Sequence, residues 1–218
     1  MNIKSLLAAT FAVASMSMLS MAQTRTIEHE YSEFDAISVS DGFKVSFVES
    51  DGYSAKFKVN DAFESYVQCY VKAGTLYIGV DDKSIPKEVK KSFKGKNSDD
   101  PVLEATVYVP SLKAVTLSDN CTFSCDKDIN APKFTLELSG TSSVSNLNIH
   151  VAESAVITVS KKAKLSSVNV KAEDKVTVNA EGNASVVLEY SAKTLEVNNS
   201  GSAELAINGQ AETASVST

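Results

Sequence analysis

The chain is poor in the residues on which most recognised chemistry rests. Its 218 residues include two histidines, three cysteines, nine glycines, four prolines and a single arginine, Arg25. His29 and His150 stand far apart in sequence with no ligand-like neighbour at motif spacing, so no transition metal or other cofactor is expected. The glycines build no phosphate-binding loop, the serines no nucleophile elbow, and no calcium-binding nonapeptide repeat occurs. Three cysteines leave at least one thiol unpaired. In an extended strand Cys121 and Cys125 stand beyond the ~7 Å reach of a disulfide, so only a sharp bend would join them. Free thiols serving as small core or turn residues are expected, with a bridge from Cys69 to the later cysteines as the lesser alternative.

Long apolar runs are also missing, with one exception. Lys4, the run from Leu6 to Leu19 and the small-x-small site Ser20-Met21-Ala22 read as a secretory signal over residues 1–22. The run is interrupted by serines and short for a membrane span, and no cysteine follows it to carry a lipid. The mature chain is therefore expected to begin at Gln23, exported to the periplasm or cell surface, with no transmembrane segment after cleavage. Net charge is −6, and loss of Lys4 makes it more acidic. That argues against nucleic acid or an anionic membrane surface as a partner.

What is present is a repeat. Val115-Thr-Leu117-Ser118, Leu136-Glu-Leu138-Ser139, Ile157-Thr-Val159-Ser160, Val176-Thr-Val178-Asn179 and Leu195-Glu-Val197-Asn198 are one phrase written five times, in steps of 21, 21, 19 and 19 residues. Six residues after the second apolar position comes another strand start: Phe123, Val144, Leu165, Ala184 and Ala203. Apolar-polar-apolar alternation is that of a half-buried strand, and a fixed period near 20 marks a solenoid whose units cannot bury their apolar sides alone. A coil this short suits three strands and three bends. The expected fold is all-β: a single-stranded parallel β-helix, right-handed by the rule for parallel crossovers. A β-sandwich is the rival, but it does not require the same phrase in successive strands.

Stacking the phrases predicts two inward ladders. One is Val115, Leu136, Ile157, Val176 and Leu195; the other is Leu117, Leu138, Val159, Val178 and Val197. Between them Thr116, Glu137, Thr158, Thr177 and Glu196 point outward, and Ser118, Ser139, Ser160, Asn179 and Asn198 take the bend. Cys121 then shares a column with Ser142, Ala163, Gly182 and Gly201.

One domain spans 23–218. Its N-terminal part, 23–110, is a less regular β region, and 111–218 is the repeat. Twelve of the fifteen aromatic residues beyond residue 22 precede Pro110, giving the first part a bulky core and the second a narrow bore. Ile37 to Phe47, turned at Asp41-Gly42, reads as a first, degenerate rung. Tyr53–Val59, Tyr66–Val71, Thr75–Val80 and Val102–Val109 read as strands. The stretch 81–100 breaks the pattern, with six lysines facing only Glu88 between Lys83 and Lys96, and reads as a solvated loop, with two helical turns over Pro86–Phe93. Val216 lies nineteen residues past Val197, so a sixth rung begins and leaves an edge open to pairing, including self-association.

These residues resemble a known family, the head GIN domain of auto-transporter adhesins, found in exported proteins of Bacteroidetes-type bacteria. The likeness rests on Phe34-x-x-Ile37-x-Val39, Phe43-x-Val45 with Phe47, Gly74-Thr75-Leu76-Tyr77-Ile78 and Val109-Pro110-Ser111-Leu112 with Val115 and Leu117. It continues in the turn Leu138-Ser139-Gly140, which recurs as Asn199-Ser200-Gly201, and covers roughly Glu28 to Gln210. The chain departs from the family pattern in having few glycines at its bends and in its early stop. The resemblance implies a β-helical fold and an exported location; it carries over no catalytic motif.

Function is therefore expected to be binding or scaffolding at the cell envelope, with a glycan or protein partner and no catalysis. The candidate ligand surface comprises Tyr53, Tyr66, Tyr70 and Tyr77 with the outward acids Glu137 and Glu196. The alternative is a polysaccharide hydrolase or lyase using carboxylates of the 81–100 loop, such as Asp99 and Asp100. The outward ladder itself offers no pair at the ~5–9.5 Å that glycoside hydrolysis needs.

Overall fold

Alternating sequence becomes strand almost throughout, and the described residues are 65% strand and 5% helix. A computed structural model describes residues 23–93 and 101–218. The expected signal and the end of the lysine-rich loop, with Asp99 and Asp100, lie outside the described residues.

The chain opens with β1 (Thr24–Glu30), β2 (Ala36–Val39), β3 (Lys44–Glu49), β4 (Ser54–Asn60) and the single turn α1 (Asp61–Glu64). The hairpin β5 (Val67–Lys72) and β6 (Thr75–Val80) follows, then α2 (Lys87–Ser92) and β7 (Leu103–Val109). The repeat comprises β8 (Ala114–Leu117), β9 (Thr122–Cys125), β10 (Ile129–Leu138), β11 (Ser143–Val159) and β12 (Lys164–Ala172). It ends with β13 (Lys175–Gly182), β14 (Ser185–Ser191), β15 (Thr194–Gly201), β16 (Glu204–Gln210) and β17 (Thr213–Ser217).

Pairing winds these strands into a solenoid of about five turns. One long face, here face a, runs β5-β6-β2-β8-β10-β11-β13-β15-β17. Face b runs β1-β4-β7-β3-β9-β11-β12-β14-β16. A third face, c, starts at β10, where Ile129 to Ala131 pair with Ile149 to Val151, and continues through β12, β14 and β16. Every rung contact in the repeat is parallel; the antiparallel pairs β1–β4, β4–β7 and β5–β6 are confined to the N-terminal end. Ile37 lies beside Val115 and Val39 beside Leu117, so β2 and β3 form the first rung, as the sequence pattern predicts. Its other side is covered by β6 and β7, which come later in the chain.

The inward ladder of face a is Leu76, Ile37, Val115, Leu136, Ile157, Val178 and Val197, buried at every step. The second is Ile78, Val39, Leu117, Leu138, Val159 and Ala180, also buried. This corrects the predicted register in the last coils. Val159 pairs with Ala180, a step of 21 residues, and the step of 19 begins only at the next rung, where Ala180 meets Asn199. Val176 and Leu195 therefore stand one inward position earlier, beneath Phe134 and Ala155. The column below Phe123, Val144 and Leu165 continues as Val186 and Leu205, not Ala184 and Ala203. Ala184 and Ala203 instead continue the small-residue column of Cys121, Ser142 and Ala163 that the pattern assigns to Gly182 and Gly201. The two missing residues leave at corners: one between Leu165 and Val168, where the register of β12 on β14 shifts, and one between Lys171 and Lys175. A corner can shorten without disturbing a ladder, whereas a one-residue slip within a strand would turn every side chain to the wrong side.

At the bend from face a to face b each rung has a left-handed residue, in turn Asp41, Asp119, Gly140, Lys161, Gly182 and Gly201, with φ between 60° and 77°; in the first rung Gly42, at 82°, follows as a second. Aspartate tolerates this region better than most side chains and glycine adopts it freely. Gly140 has a further constraint, since a Cβ there would lie 2.5–2.7 Å from the backbone of Asp119 on the rung below. Lys161, Lys162 and Lys164 are exposed at this bend, as expected of a turn cluster.

The last rung has no cover, so Val216 is 68% exposed although it continues the ladder below Val197. The middle and the open end of one ladder should thus respond differently to truncation. Ile157→Ala is expected to cost about 2–5 kcal/mol by urea unfolding, and Val216→Ala no more than ~0.5 kcal/mol. Equal losses would contradict the burial gradient.

Candidate functional site

The parity that turns one set of residues inward turns its neighbours out. On face a the outward row between the two buried ladders is Tyr70, Tyr77, Ser38, Thr116, Glu137, Thr158, Asn179, Asn198 and Ser217, one residue from each of nine strands. At strand spacing it extends roughly 38 Å along the solenoid. Tyr70 and Tyr77 are directly opposed across the β5–β6 hairpin; their rings are parallel within 16° and their centroids 5.2 Å apart. Tyr70, on the edge strand, is 49% exposed. At the other end the amides link the rungs: Asn179 Nδ2 donates to Thr158 Oγ1 at 3.3 Å and Asn198 Nδ2 to Asn179 Oδ1 at 3.0 Å. None of the nine positions carries a cation, and Glu137 is their single acid.

Of the sequence-predicted surface residues, Tyr70, Tyr77 and Glu137 share this row. Glu196 does not; it stands in the adjacent row, beside Thr177 and Ser215. There it accepts from Lys175 Nζ at 2.5 Å and from Asn198 Nδ2 at 3.1 Å, and these bonds hold its carboxyl below the ordinary carboxylate range. Asn179 and Asn198, predicted at the bend, lie within strands and belong to the row; the two-residue register step moves them there. Ser38 enters through the pairing of β2 with β8, which the degenerate rung predicts, and with β6, which no local pattern reports. Tyr53 and Tyr66 pack partly buried against the core, Tyr53 edge-on to Phe34 at 5.7 Å, and neither takes part in the row.

The described residues bring no carboxylate pair into catalytic spacing on this face. Glu137 and Glu196 are three strands and two residues apart, on the order of 16 Å, well beyond the range for glycoside hydrolysis. In the lysine-rich stretch Asp82 is paired to Lys90 at 2.8 Å and Asp81 accepts from Ser84 Oγ at 2.5 Å. A shallow groove of about 450 Å³ lies on face c, lined by Asn130, His150, Lys171, Glu173 and Ser191 with an alanine and valine floor. His150 Nδ1 lies 3.6 Å from Asp128 there.

The model of a family described as "Putative auto-transporter adhesin, head GIN domain" matches residues 33–156, more than half of the chain. The solved structure of a putative adhesin from Bacteroides fragilis NCTC 9343 superposes with a TM-score of 0.51 at 15% identity, covering 90% of this chain and 98% of that one. A putative adhesin from Parabacteroides distasonis ATCC 8503 gives 0.49 at 14% identity, with coverage of 90% and 98%. A putative lipid binding protein from the same organism gives 0.46 at 19% identity, with coverage of 90% and 94%. At these identities the first likeness is one of fold. No curated protein sequence matches the chain.

All three cysteines are free thiols. Burial pushes Cys121 and Cys69 up to about 11, and it raises Cys125 as well. The folded thiols hold their protons where unfolded ones, near 9, lose them. Their stabilising contribution is therefore complete below about pH 9 and is lost as pH rises towards 11. Alkylation of the native protein at Cys69 and Cys121 should stay slow at pH 8–9 and rise only as pH approaches 11. Labelling at pH 8 as fast as that of a free cysteine would contradict this.

Proposed function

The chain belongs to the auto-transporter adhesin head GIN family, and from that premise we propose that it is a non-catalytic binding module of the cell envelope whose working surface is the outward row of face a. The observation that carries this is the row itself: nine aligned positions led by a parallel tyrosine pair, with a hydroxyl or amide group at every following rung except that of the carboxylate Glu137. A buried ladder lies on each side of it, so the row is preorganised and ligand binding does not have to order it. The rings, Tyr70 exposed and Tyr77 half-buried, supply rigid contact area at low entropy cost, and the serine, threonine and asparagine groups both donate and accept. An exported location accords with the family and with the secretory pattern of the first 22 residues.

The test is a binding screen of residues 23–218 against glycans and envelope proteins, run beside the Tyr70→Ala/Tyr77→Ala double variant. The expected outcome is at least one ligand whose affinity falls tenfold or more in the double variant and is unchanged by Lys171→Ala on face c. No ligand at millimolar concentration, or equal binding by the double variant, would overturn the proposal. So would turnover of any bound polysaccharide.

A further inference from the structure

We infer that the ligand of this surface is an uncharged glycan, one ring of which stands on the step formed by Ser38 and Thr116 with its face against Tyr77. The inference rests on the proposed use of face a and names what occupies it.

The tyrosine geometry sets the step. Tyr70 and Tyr77 are cross-strand partners, and their centroid separation of 5.2 Å is close to the ~4.8 Å between strands. Parallel rings at that separation stand upright from the sheet, side by side. One face of Tyr77 is covered by Tyr70. The other looks along the row towards β2, where the partner is Ser38, and beyond it Thr116 on β8. Neither side chain has the height of a tyrosine, so the second face of Tyr77 forms a wall above a low floor. The free face of Tyr70 has no such floor, because β5 is the edge of face a.

The chemistry of wall and floor selects the ligand. An aromatic face is the negative part of a quadrupole and attracts the polarised C–H groups on the flat side of a sugar ring. Ser38, Thr116, Glu137 and Thr158 then offer hydroxyl and carboxylate groups at intervals of one strand, which suits a molecule whose hydroxyls both donate and accept. An extended glycan lying along the solenoid advances by a comparable distance per ring, so successive rings meet successive rungs.

Charge decides between classes of glycan. Glu137 is the one charge in the row. Lys72 lies beyond Tyr70, away from the step, and Lys175 is occupied by Glu196. Lys113, one residue before the adjacent row, is paired with Asp35 at 2.6 Å. A carboxylated or sulfated chain would therefore meet a carboxylate with no free cation beside it. A protein partner is less well served, since past the tyrosine pair the row lacks the apolar anchors that dominate protein interfaces.

The chain has no tryptophan, so tyrosine fluorescence reports contact with the rings directly. The probes are oligomers of neutral hexoses, polygalacturonate and a sulfated glycosaminoglycan, titrated into residues 23–218. Expected is a fluorescence change with a neutral oligomer only. Its affinity should fall at least tenfold in Tyr77→Ala and in Ser38→Phe, which fills the step, and stay within threefold in Tyr77→Phe. Circular dichroism and urea unfolding confirm that the variants fold. Binding of only acidic glycans, or of only a protein, that still needs the tyrosines would overturn this inference and leave the role of face a standing. Neutral-glycan binding lost in Tyr70→Ala but kept in Ser38→Phe would also overturn it. Binding indifferent to every face-a variant, or no binding at all, would overturn both.

Discussion

No coil of this protein buries its own apolar edge, so each depends on the coil stacked beside it. The ladder from Leu76 through Ile37, Val115, Leu136, Ile157 and Val178 is closed on both sides at every step, whereas Val216 at the last rung is left in solvent. At ~1.5–3 kcal/mol for each large side chain removed from water, the stacked ladders dominate stability. The N-terminal end meets the same requirement by other means. Antiparallel strands extend faces a and b, and Phe63 of α1 and Ile85 before α2 are buried in the core. The candidate surface follows from this packing. Two inward ladders with a residue between them in every strand leave that residue pointing out, in line with its counterparts, for as long as the register holds.

Charge is kept to the margins of that line. The exposed ion pairs Lys133–Glu153, Lys193–Asp174, Lys58–Glu104 and Lys113–Asp35 lie off the row. Each contributes little to stability at the surface, about 0–1 kcal/mol. Their placement matters more than their energy, because it leaves a polar row with one carboxylate and no cation. The tyrosine pair breaks the flatness of that row at one place, and it is against that break that the proposed ligand would take its position.

Much of this was legible in the sequence because period and alternation are local. The coil length, the inward positions of the first three rungs, the degenerate rung at Ile37 to Phe47, the β5–β6 hairpin and the helical turns before Phe93 all follow from residues near one another. The register of the later rungs was not legible. Val176-Thr-Val178-Asn179 repeats the earlier phrase closely, while the residue that fills the second ladder is Ala180, a weak strand signal. The shortening takes place at corners, where composition is permissive and pattern is silent. For the same reason the pattern assigns Asn179 and Asn198 to a bend rather than to the outward row, and Glu196 to the row of Glu137, three rungs on. The cover of the first rung by β6 and β7 joins residues far apart in sequence and has no local signature. Four tyrosines could be named from sequence; that two of them stack and two pack against the core required the fold.

The most direct test is a chemical-shift map of residues 23–218 titrated with a neutral hexose oligomer. The account expects perturbations centred on Tyr77, Ser38 and Thr116 and fading along the row towards Asn179. Perturbations centred instead on Asn130, His150, Lys171 and Ser191 would place the working surface on face c and contradict it.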